Sequence, residues 1–261
     1  MKQEYGPHVR VRLDDHKVAL VEIDAPPHNF INMPMIRGLV EALEELDGEN
    51  GCVAVVLASA GKSFCAGADL EDATGIGAQG PVAAQELYDN AVALFSTAKP
   101  IIAAVQGAAI GAGLGLALVA DFRIASPEAR FSANFVKLGY HPGFGITKTL
   151  PRAIGEQRAE LMCLTGRRIK GEEALAWGLV EQLVPADQLR AAAIALAREI
   201  AENAPLAVAA TRKTFRGALA ESVRKQTSLE LVLQTMLRAT EDHQEGVRSV
   251  AERRPGKFAG R

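Results

Sequence analysis

Residues 101–120, IIAAVQGAAIGAGLGLALVA, are a run of twenty uncharged residues that contains four glycines. An uncharged run of this length can cross a membrane as a helix, and glycines at four-residue spacing occur where membrane helices pack. However, four glycines and Gln106 make this run a poor spanning helix. We therefore predict a buried strand, a turn and a buried helix here, and no membrane partner.

The segments around this run alternate between strand-like and helix-like patterns, which is typical of an α/β protein with crossover helices. Short apolar runs predict strands, and apolar residues at helical spacing predict helices. In chain order these are the hairpin VRVRL and VALVEI, the helix MIRGLVEALEELDG, the buried strand CVAVVLAS, the helix VAAQELYDNAVALFSTA and the buried strand PIIAAV.

The glycine content falls sharply near Pro185. Twenty of the 24 glycines lie at or before Gly178, and long periodic segments with few helix breakers follow Asp187. Apolar positions in these segments recur at helical spacing, so we expect them to pack on the core or on another subunit. The composition predicts an α/β core over residues 1–186 and a helical region over residues 187–261.

Composition and charge exclude several classes of function. The formal net charge is -2 and no Lys/Arg cluster stands out, so we expect no nucleic-acid partner. The three cysteines are an odd number at spacings unlike those of metal ligands, which predicts reduced thiols and no metal site. The polar N-terminal segment lacks the apolar core of a signal peptide, so we expect a cytoplasmic protein.

Two glycine-containing loops follow predicted strands, KSFCAGADL at 62–70 and the glycine-rich part of 101–120. A dinucleotide-binding fingerprint fails at the second loop, because a third small residue would be needed where Leu116 stands and Asp121 lies too close to bind the ribose. Two strand ends that expose peptide N–H groups can instead hold an oxyanion, since their dipoles are already oriented.

The chain resembles the crotonase (enoyl-CoA hydratase/isomerase) superfamily over nearly its whole length. Five motifs in order carry the resemblance: KSFCAGADL, QGAAIGAGLGLALVADFRIAS, FSANFVKLGYHPGFGITKTLPRAIG, LTGRRIKGEEALAWGLVEQLVP and EGVRSVAERRPGKFAG. The resemblance implies an α/β fold with a spiral core of ββα units, followed by a C-terminal helical trimerisation region. It also implies acyl-CoA thioester substrates and a homotrimer or a dimer of trimers. Coenzyme A is then part of the substrate, and no cofactor is permanently bound.

The resemblance also assigns roles to individual residues. The backbone N–H groups of Ala68 and Ala112 match the oxyanion hole that stabilises the enolate of a thioester. Phe135, Tyr140 and Phe144 are expected to line an acyl pocket that favours an apolar or aromatic acyl group. The positions expected to bind coenzyme A or substrate are Lys62, Ala66, Asp69, Leu70, Lys257 and Phe258.

The acid and base positions of the superfamily are altered in this chain. The two glutamates that add water in hydratases correspond to Gly115 and Phe135, and a third acidic position found in several isomerases corresponds to Gly143. None of these side chains can exchange a proton. We therefore predict that the two-glutamate hydration mechanism does not operate here.

His141 is the remaining candidate catalytic residue in this segment. An imidazole can carry a proton at neutral pH, but the same residue can equally be a loop residue whose Nδ1 bonds a backbone carbonyl. The lead hypothesis is an enzyme that forms a thioester enolate for isomerisation, decarboxylation or carbon–carbon cleavage. The alternative is a protein that binds CoA esters with little or no catalysis.

Overall fold

The computed structural model describes residues 2–68 and 80–261, which form two β-sheets and the helices that cover them. Asp69 and Leu70 lie outside the described residues. The strands are Glu4–Tyr5 (β1), Val9–Leu13 (β2), Val18–Ile23 (β3), Ala54–Ser59 (β4), Ile101–Val105 (β5), Ala108–Ile110 (β6), Phe122–Ala125 (β7), Arg130–Ser132 (β8), Arg168–Lys170 (β9) and Gln182–Leu183 (β10).

The larger sheet has the strand order β1-β2-β3-β4-β5-β7-β10 in the described part of the chain. β2 and β3 pair antiparallel, which confirms the predicted hairpin, and the pairs from β3 to β10 are parallel. Every residue of β4 and β5 is buried. A parallel sheet with both faces covered needs such continuous apolar strands, and this explains why neither segment alternates with polar residues.

The helices confirm the predicted α/β order and the helical C-terminal region. They are Met33–Gly48 (α1), Gly80–Phe95 (α2), Ala112–Val119 (α3), Ile146–Ile154 (α4), Glu156–Thr165 (α5), Gly171–Trp177 (α6), Leu189–Ala201 (α7), Pro205–Arg216 (α8), Leu219–Arg238 (α9) and Glu241–Ala251 (α10), with a 3₁₀ helix at Asn134–Leu138. α7 packs on the larger sheet, whereas α9 packs on α2. The division at residues 186 and 187 stays a prediction.

The glycine-rich run at 101–120 contains the predicted strand and helix, β5 and α3, with a second short strand in place of the predicted turn. This strand, β6, pairs with β8 in a separate small sheet of order β6-β8-β9. Seven of the eight residues of α3 are buried. Among the described residues, no helix is both long enough and apolar enough to cross a membrane.

A backbone bridge joins the two glycine-containing loops. Cys65 forms a parallel β-bridge with Ala109, in which Cys65 N–H donates to Ala108 O over 2.8 Å and Ile110 N–H donates to Cys65 O over 3.1 Å. A Cβ atom at Gly113 would overlap the carbonyl oxygen of Cys65. This glycine is therefore required for the close approach of the loop at 62–68 to β6 and α3.

Gly113→Ala should destabilise the protein, because the added methyl group overlaps backbone atoms that cannot move without breaking the bridge. We expect the free energy of unfolding to fall by about 3 kcal/mol in urea titrations. Gly48→Ala is the matched control, since a Cβ atom there has no neighbour within 4 Å in the described structure. Equal effects of the two substitutions would contradict the proposed close contact.

Candidate active site

The two bridged loops meet at a cavity of about 90 Å³. Its wall includes all five residues predicted as oxyanion donors or acyl-pocket residues, from three separate segments of the chain. These are Ala68, Ala112, Phe135, Tyr140 and Phe144. Ala66 also lies in this wall, next to the first loop's glycine. The tertiary structure thus brings the predicted oxyanion donors and the predicted acyl-pocket residues together.

Ala112 is the first residue of α3, where backbone N–H groups have no acceptor within the helix. The N-cap residue of α3 is Gly111, which has no side chain to accept a hydrogen bond from these N–H groups. Gly67 has a φ of 90°, and a Cβ atom there would lie 2.6 Å from Ile110 O and 3.7 Å from Ala112 N. The backbone just before Ala68 therefore lies directly against the start of α3.

The loop that carries Ala68 is held from its other side by residues 25–31. Ala66 N–H donates to His28 O over 3.1 Å, and Ile31 N–H donates to Gly67 O over 2.8 Å. The buried Asn29 side chain accepts from Ala25 N–H and donates to Ala60 O and Ser63 O, over distances of 2.8 to 2.9 Å. Backbone hydrogen bonds on both sides fix this loop, so its position does not depend on exposed side chains.

Phe144 fills the space beside Gly115, which the resemblance leads us to expect as the first altered acid position. A Cβ atom at Gly115 would lie 2.6 Å from Phe144 Cδ1, and the ring is 1% exposed. Phe144 has a φ of 61°, a conformation that bulky residues rarely adopt and that the surrounding packing must maintain. A longer side chain at position 115 would therefore collide with an aromatic ring.

Gly143, expected from the resemblance as the third altered acid position, lies against two polar side chains. A Cβ atom there would overlap Tyr88 Oη and lie 2.6 Å from Gln234 Nε2. Tyr88 O–H donates to Gln234 Oε1 over 2.9 Å, and Gln234 Nε2 donates to His141 O over 2.8 Å. Burial raises the pKa of Tyr88, because it disfavours the phenolate. Tyr88 is thus a neutral hydroxyl in the cavity wall.

His141 is half-buried, and its side chain is not among the residues that line the cavity. Its Nδ1 lies 2.7 Å from Pro142 O. A carbonyl oxygen only accepts, so Nδ1 carries the proton in this contact. This is the contact expected of a loop residue, and a role for His141 as a proton carrier stays a prediction.

Tyr140 is 8% exposed and connects the cavity to the end of α9. Its ring packs edge-on against Phe135 at 5.5 Å between centroids, and the guanidinium carbon of Arg238 lies 5.5 Å from its centroid. Burial raises the pKa of Tyr140, while the nearby Arg238 charge opposes that shift. Tyr140 is therefore a wall residue with a protonated hydroxyl.

Three polar residues of α9 that no sequence motif indicated lie in or near the site. Gln234 and Arg238 line the cavity, and Glu230 accepts from Gly145 N–H over 2.8 Å and from Thr147 O–H over 2.9 Å. Burial raises the pKa of the Glu230 carboxyl to about 7. The available signal was their four-residue spacing, which places all three on one face of a helix.

The other CoA-binding candidates among the described residues lie away from this cavity. Lys62 is exposed and lines a separate groove of about 650 Å³, together with Arg130 and Arg190. Lys257 and Phe258 are exposed on the segment that follows α10. Lys257 N–H donates to Glu245 over 2.9 Å, which ties this segment to α10. The described single chain therefore does not bring the C-terminal pair to the cavity wall.

Comparison with known proteins identifies relatives along nearly the whole chain. A sequence profile of the Enoyl-CoA hydratase/isomerase family matches residues 14–261. A probable enoyl-CoA hydratase of Rhodobacter capsulatus is 37% identical over 246 residues, covering 94% of this chain and 95% of that protein. The 2,3-dehydroadipyl-CoA hydratase of Escherichia coli is 34% identical over 250 residues, covering 94% and 96%.

The fold also matches a solved structure. The crystal structure of an enoyl-CoA hydratase/isomerase from Pseudoalteromonas atlantica T6c superposes with a TM-score of 0.85 at 31% identity. The match covers 97% of this chain and 100% of the other. At this identity and coverage the likeness extends over both sheets and the C-terminal helices.

Glu230→Gln should change how stability depends on pH. Because burial raises the folded-state pKa from 4.5 to about 7, the stability that protonated Glu230 contributes is complete below pH 4.5 and is lost as the pH rises through 7. We expect the variant to gain about 2 to 3 kcal/mol relative to the native protein between pH 5 and pH 8, in urea unfolding. Glu221→Gln, at an exposed position of α9, is the control. A difference that does not vary with pH would contradict this assignment.

Proposed function

The chain belongs to the enoyl-CoA hydratase/isomerase family of acyl-CoA-processing enzymes, and from this premise we propose that it stabilises a thioester enolate between the N–H groups of Ala68 and Ala112. The observation that carries the proposal is the backbone bridge that holds both residues on one cavity wall. The carbon beside the thioester can lose a proton, or a carbon–carbon bond to it can break and leave its electron pair on that carbon. In both cases negative charge develops on the thioester oxygen. Two fixed N–H dipoles stabilise that charge more than they stabilise the neutral carbonyl.

The proposed reaction class is one that forms an enolate without a pair of glutamates. No carboxylate is present among the described residues of the cavity wall, and Phe144 occupies the space beside Gly115. Double-bond isomerisation, decarboxylation and carbon–carbon cleavage each proceed through a stabilised enolate. The neutral hydroxyls of Tyr88 and Tyr140 and the amide of Asn134 are available to orient substrate or water in this wall.

Binding of CoA esters without turnover is the second candidate function. The observation that favours it is the same lack of a carboxylate in the described cavity wall, because proton transfer is then left to a residue such as His141. Incubation with crotonyl-CoA and a panel of other acyl-CoA esters, followed by mass spectrometry, separates the two functions. A product supports enolate chemistry, and binding without any product supports the second function.

Self-association into a homotrimer or a dimer of trimers is part of the proposal. Apolar side chains are exposed on the C-terminal helices of the single chain, and a contiguous exposed apolar surface is typical of a subunit interface. On α9 they are Leu229, Val232, Met236 and Leu237, with exposures of 52%, 58%, 64% and 37%. Sedimentation of the purified protein measures this assembly directly.

Ala112→Pro removes the proposed N–H donor without removing a side chain that the site uses. Proline is tolerated in the first turn of a helix, where its missing N–H has no helical partner. With a substrate from the panel, we expect kcat/KM to fall by about 100- to 1000-fold. Ala112→Gly keeps the N–H and should retain most of the activity. The comparison is valid if both variants keep the melting temperature and the CoA affinity of the native protein. Equal activity of the two variants would refute the donor role.

His141→Ala tests the proton-carrier role. If His141 transfers a proton, kcat should fall by about 100-fold or more while the affinity for the CoA ester is retained. His16→Ala, at an exposed position, is the control for loss of an imidazole. Unchanged turnover in His141→Ala assigns the residue to loop packing through its contact with Pro142.

A further inference from the structure

We propose that Arg238 selects acyl groups that carry a carboxylate at the end remote from the thioester. This inference rests on the function proposed above, because it names the substrate class of the same cavity. Arg238 is the last residue of α9 and lines the cavity that contains Ala68 and Ala112. The substrate would thus be anchored at its thioester by backbone N–H groups and at its other end by a guanidinium.

The first observation is the charge of the cavity wall. Among the described residues that line the cavity, Arg238 is the one with a charged side chain, and the rest of the wall is apolar or neutral. Ile31, Leu87 and Leu138 provide its aliphatic part. A cation in a mostly apolar wall favours an anionic ligand over a neutral one, because the weakly polarisable surroundings strengthen the attraction. The wall therefore suits an apolar chain that ends in a carboxylate.

The second observation is the position of Arg238 relative to the oxyanion donors. Phe135 lies beside Gly111, since a Cβ atom there would be 3.7 Å from the tip of its ring. Tyr140 packs on Phe135, and Arg238 packs on Tyr140, at 5.5 Å in each case. The two aromatic rings thus separate the cation from the start of α3. In the proposed complex, the acyl chain lies along this aromatic wall, with its thioester at the start of α3 and its far end at the guanidinium.

The chemistry of Arg238 suits a carboxylate. A guanidinium has five N–H donors in a planar fork that matches the two oxygens of a carboxylate, so a hydrogen bond made within the protein leaves other donors for a ligand. The cation–π contact with the Tyr140 ring holds the guanidinium beside that ring. Restricting a long side chain before binding lowers the entropy cost of ordering it on the substrate.

Nearby acidic residues of the described chain are engaged with other groups. Glu230 lies two helical turns before Arg238 and accepts hydrogen bonds from Gly145 and Thr147 at the start of α4. Asp242, four residues after Arg238, accepts from the backbone N–H groups of Ala259 and Gly260. These two carboxylates therefore make hydrogen bonds to the start of α4 and to the C-terminal segment, and neither is among the described residues that line the cavity.

Adipoyl-CoA and hexanoyl-CoA test the inference, because their acyl chains have the same number of carbon atoms and differ in a terminal carboxylate or methyl group. Their dissociation constants are measured by isothermal titration calorimetry at one ionic strength. We expect the native protein to bind adipoyl-CoA about tenfold or more tightly than hexanoyl-CoA. In Arg238→Met, adipoyl-CoA affinity should fall by about 10- to 100-fold, while hexanoyl-CoA affinity changes less than about threefold.

Two further variants separate charge from packing. Arg224→Met removes an exposed arginine from the same helix and should leave both affinities unchanged. Arg238→Lys keeps the charge but loses the planar fork, so it should retain part of the preference for adipoyl-CoA. Equal affinity of the native protein for the two esters, or an equal loss of both in Arg238→Met, would overturn the role of Arg238. Failure of the native protein to bind either ester would overturn the proposed function and this inference together.

Discussion

The close backbone contact between the loop at 62–68 and the segment β6–α3 is the constraint on which the rest of the site depends. It combines the parallel bridge of Cys65 with Ala109 and glycines at positions where a Cβ atom would overlap the opposite backbone. Peptide N–H groups from two distant parts of the chain can share one cavity only because no side chain separates them. An oxyanion site of this kind is built from main-chain atoms, so it can persist while the surrounding side chains change.

The side chains around this backbone site are neutral at positions where the resemblance implies an acid in other family members. Gly115, the position expected to match the first family glutamate, is covered by the Phe144 ring, while Gly143 lies against the hydroxyl of Tyr88 and the amide of Gln234. Neither glycine carries an ionisable group, and the space beside each is filled by an aromatic ring or by hydrogen-bonded neutral side chains. Among the described residues, the side chains of the cavity wall are apolar or neutral polar groups, and the charged one is Arg238, at the end of α9. The helix α9 thus contributes to the site itself as well as to the C-terminal helical region.

Local sequence patterns predicted the hairpin, α1, β4 and the helical C-terminal region, because each depends on periodicity or on helix-breaking residues close in the chain. The turn predicted between β5 and α3 is instead a strand, since its pairing partner β8 lies about twenty residues later. The role of His141 likewise could not be predicted from local sequence pattern. The type of residue indicates that it can carry a proton, but the sequence does not state that its Nδ1 contacts Pro142 O.

The sequence by itself determined the hairpin, the first crossover helices and buried strands, the family, and the two glycine-containing loops that supply the proposed oxyanion donors. These features follow from residue types at short, regular spacing, which act on local backbone conformation. Only the tertiary structure decided that Phe144 fills the space at Gly115 and that Gln234 and Arg238 line the same cavity as Ala112. Such contacts join residues that are tens to more than a hundred positions apart, and they depend on how helices pack on one another. No local pattern in the chain encodes that packing, so the polar groups that α9 contributes to the cavity could be identified only from the tertiary structure.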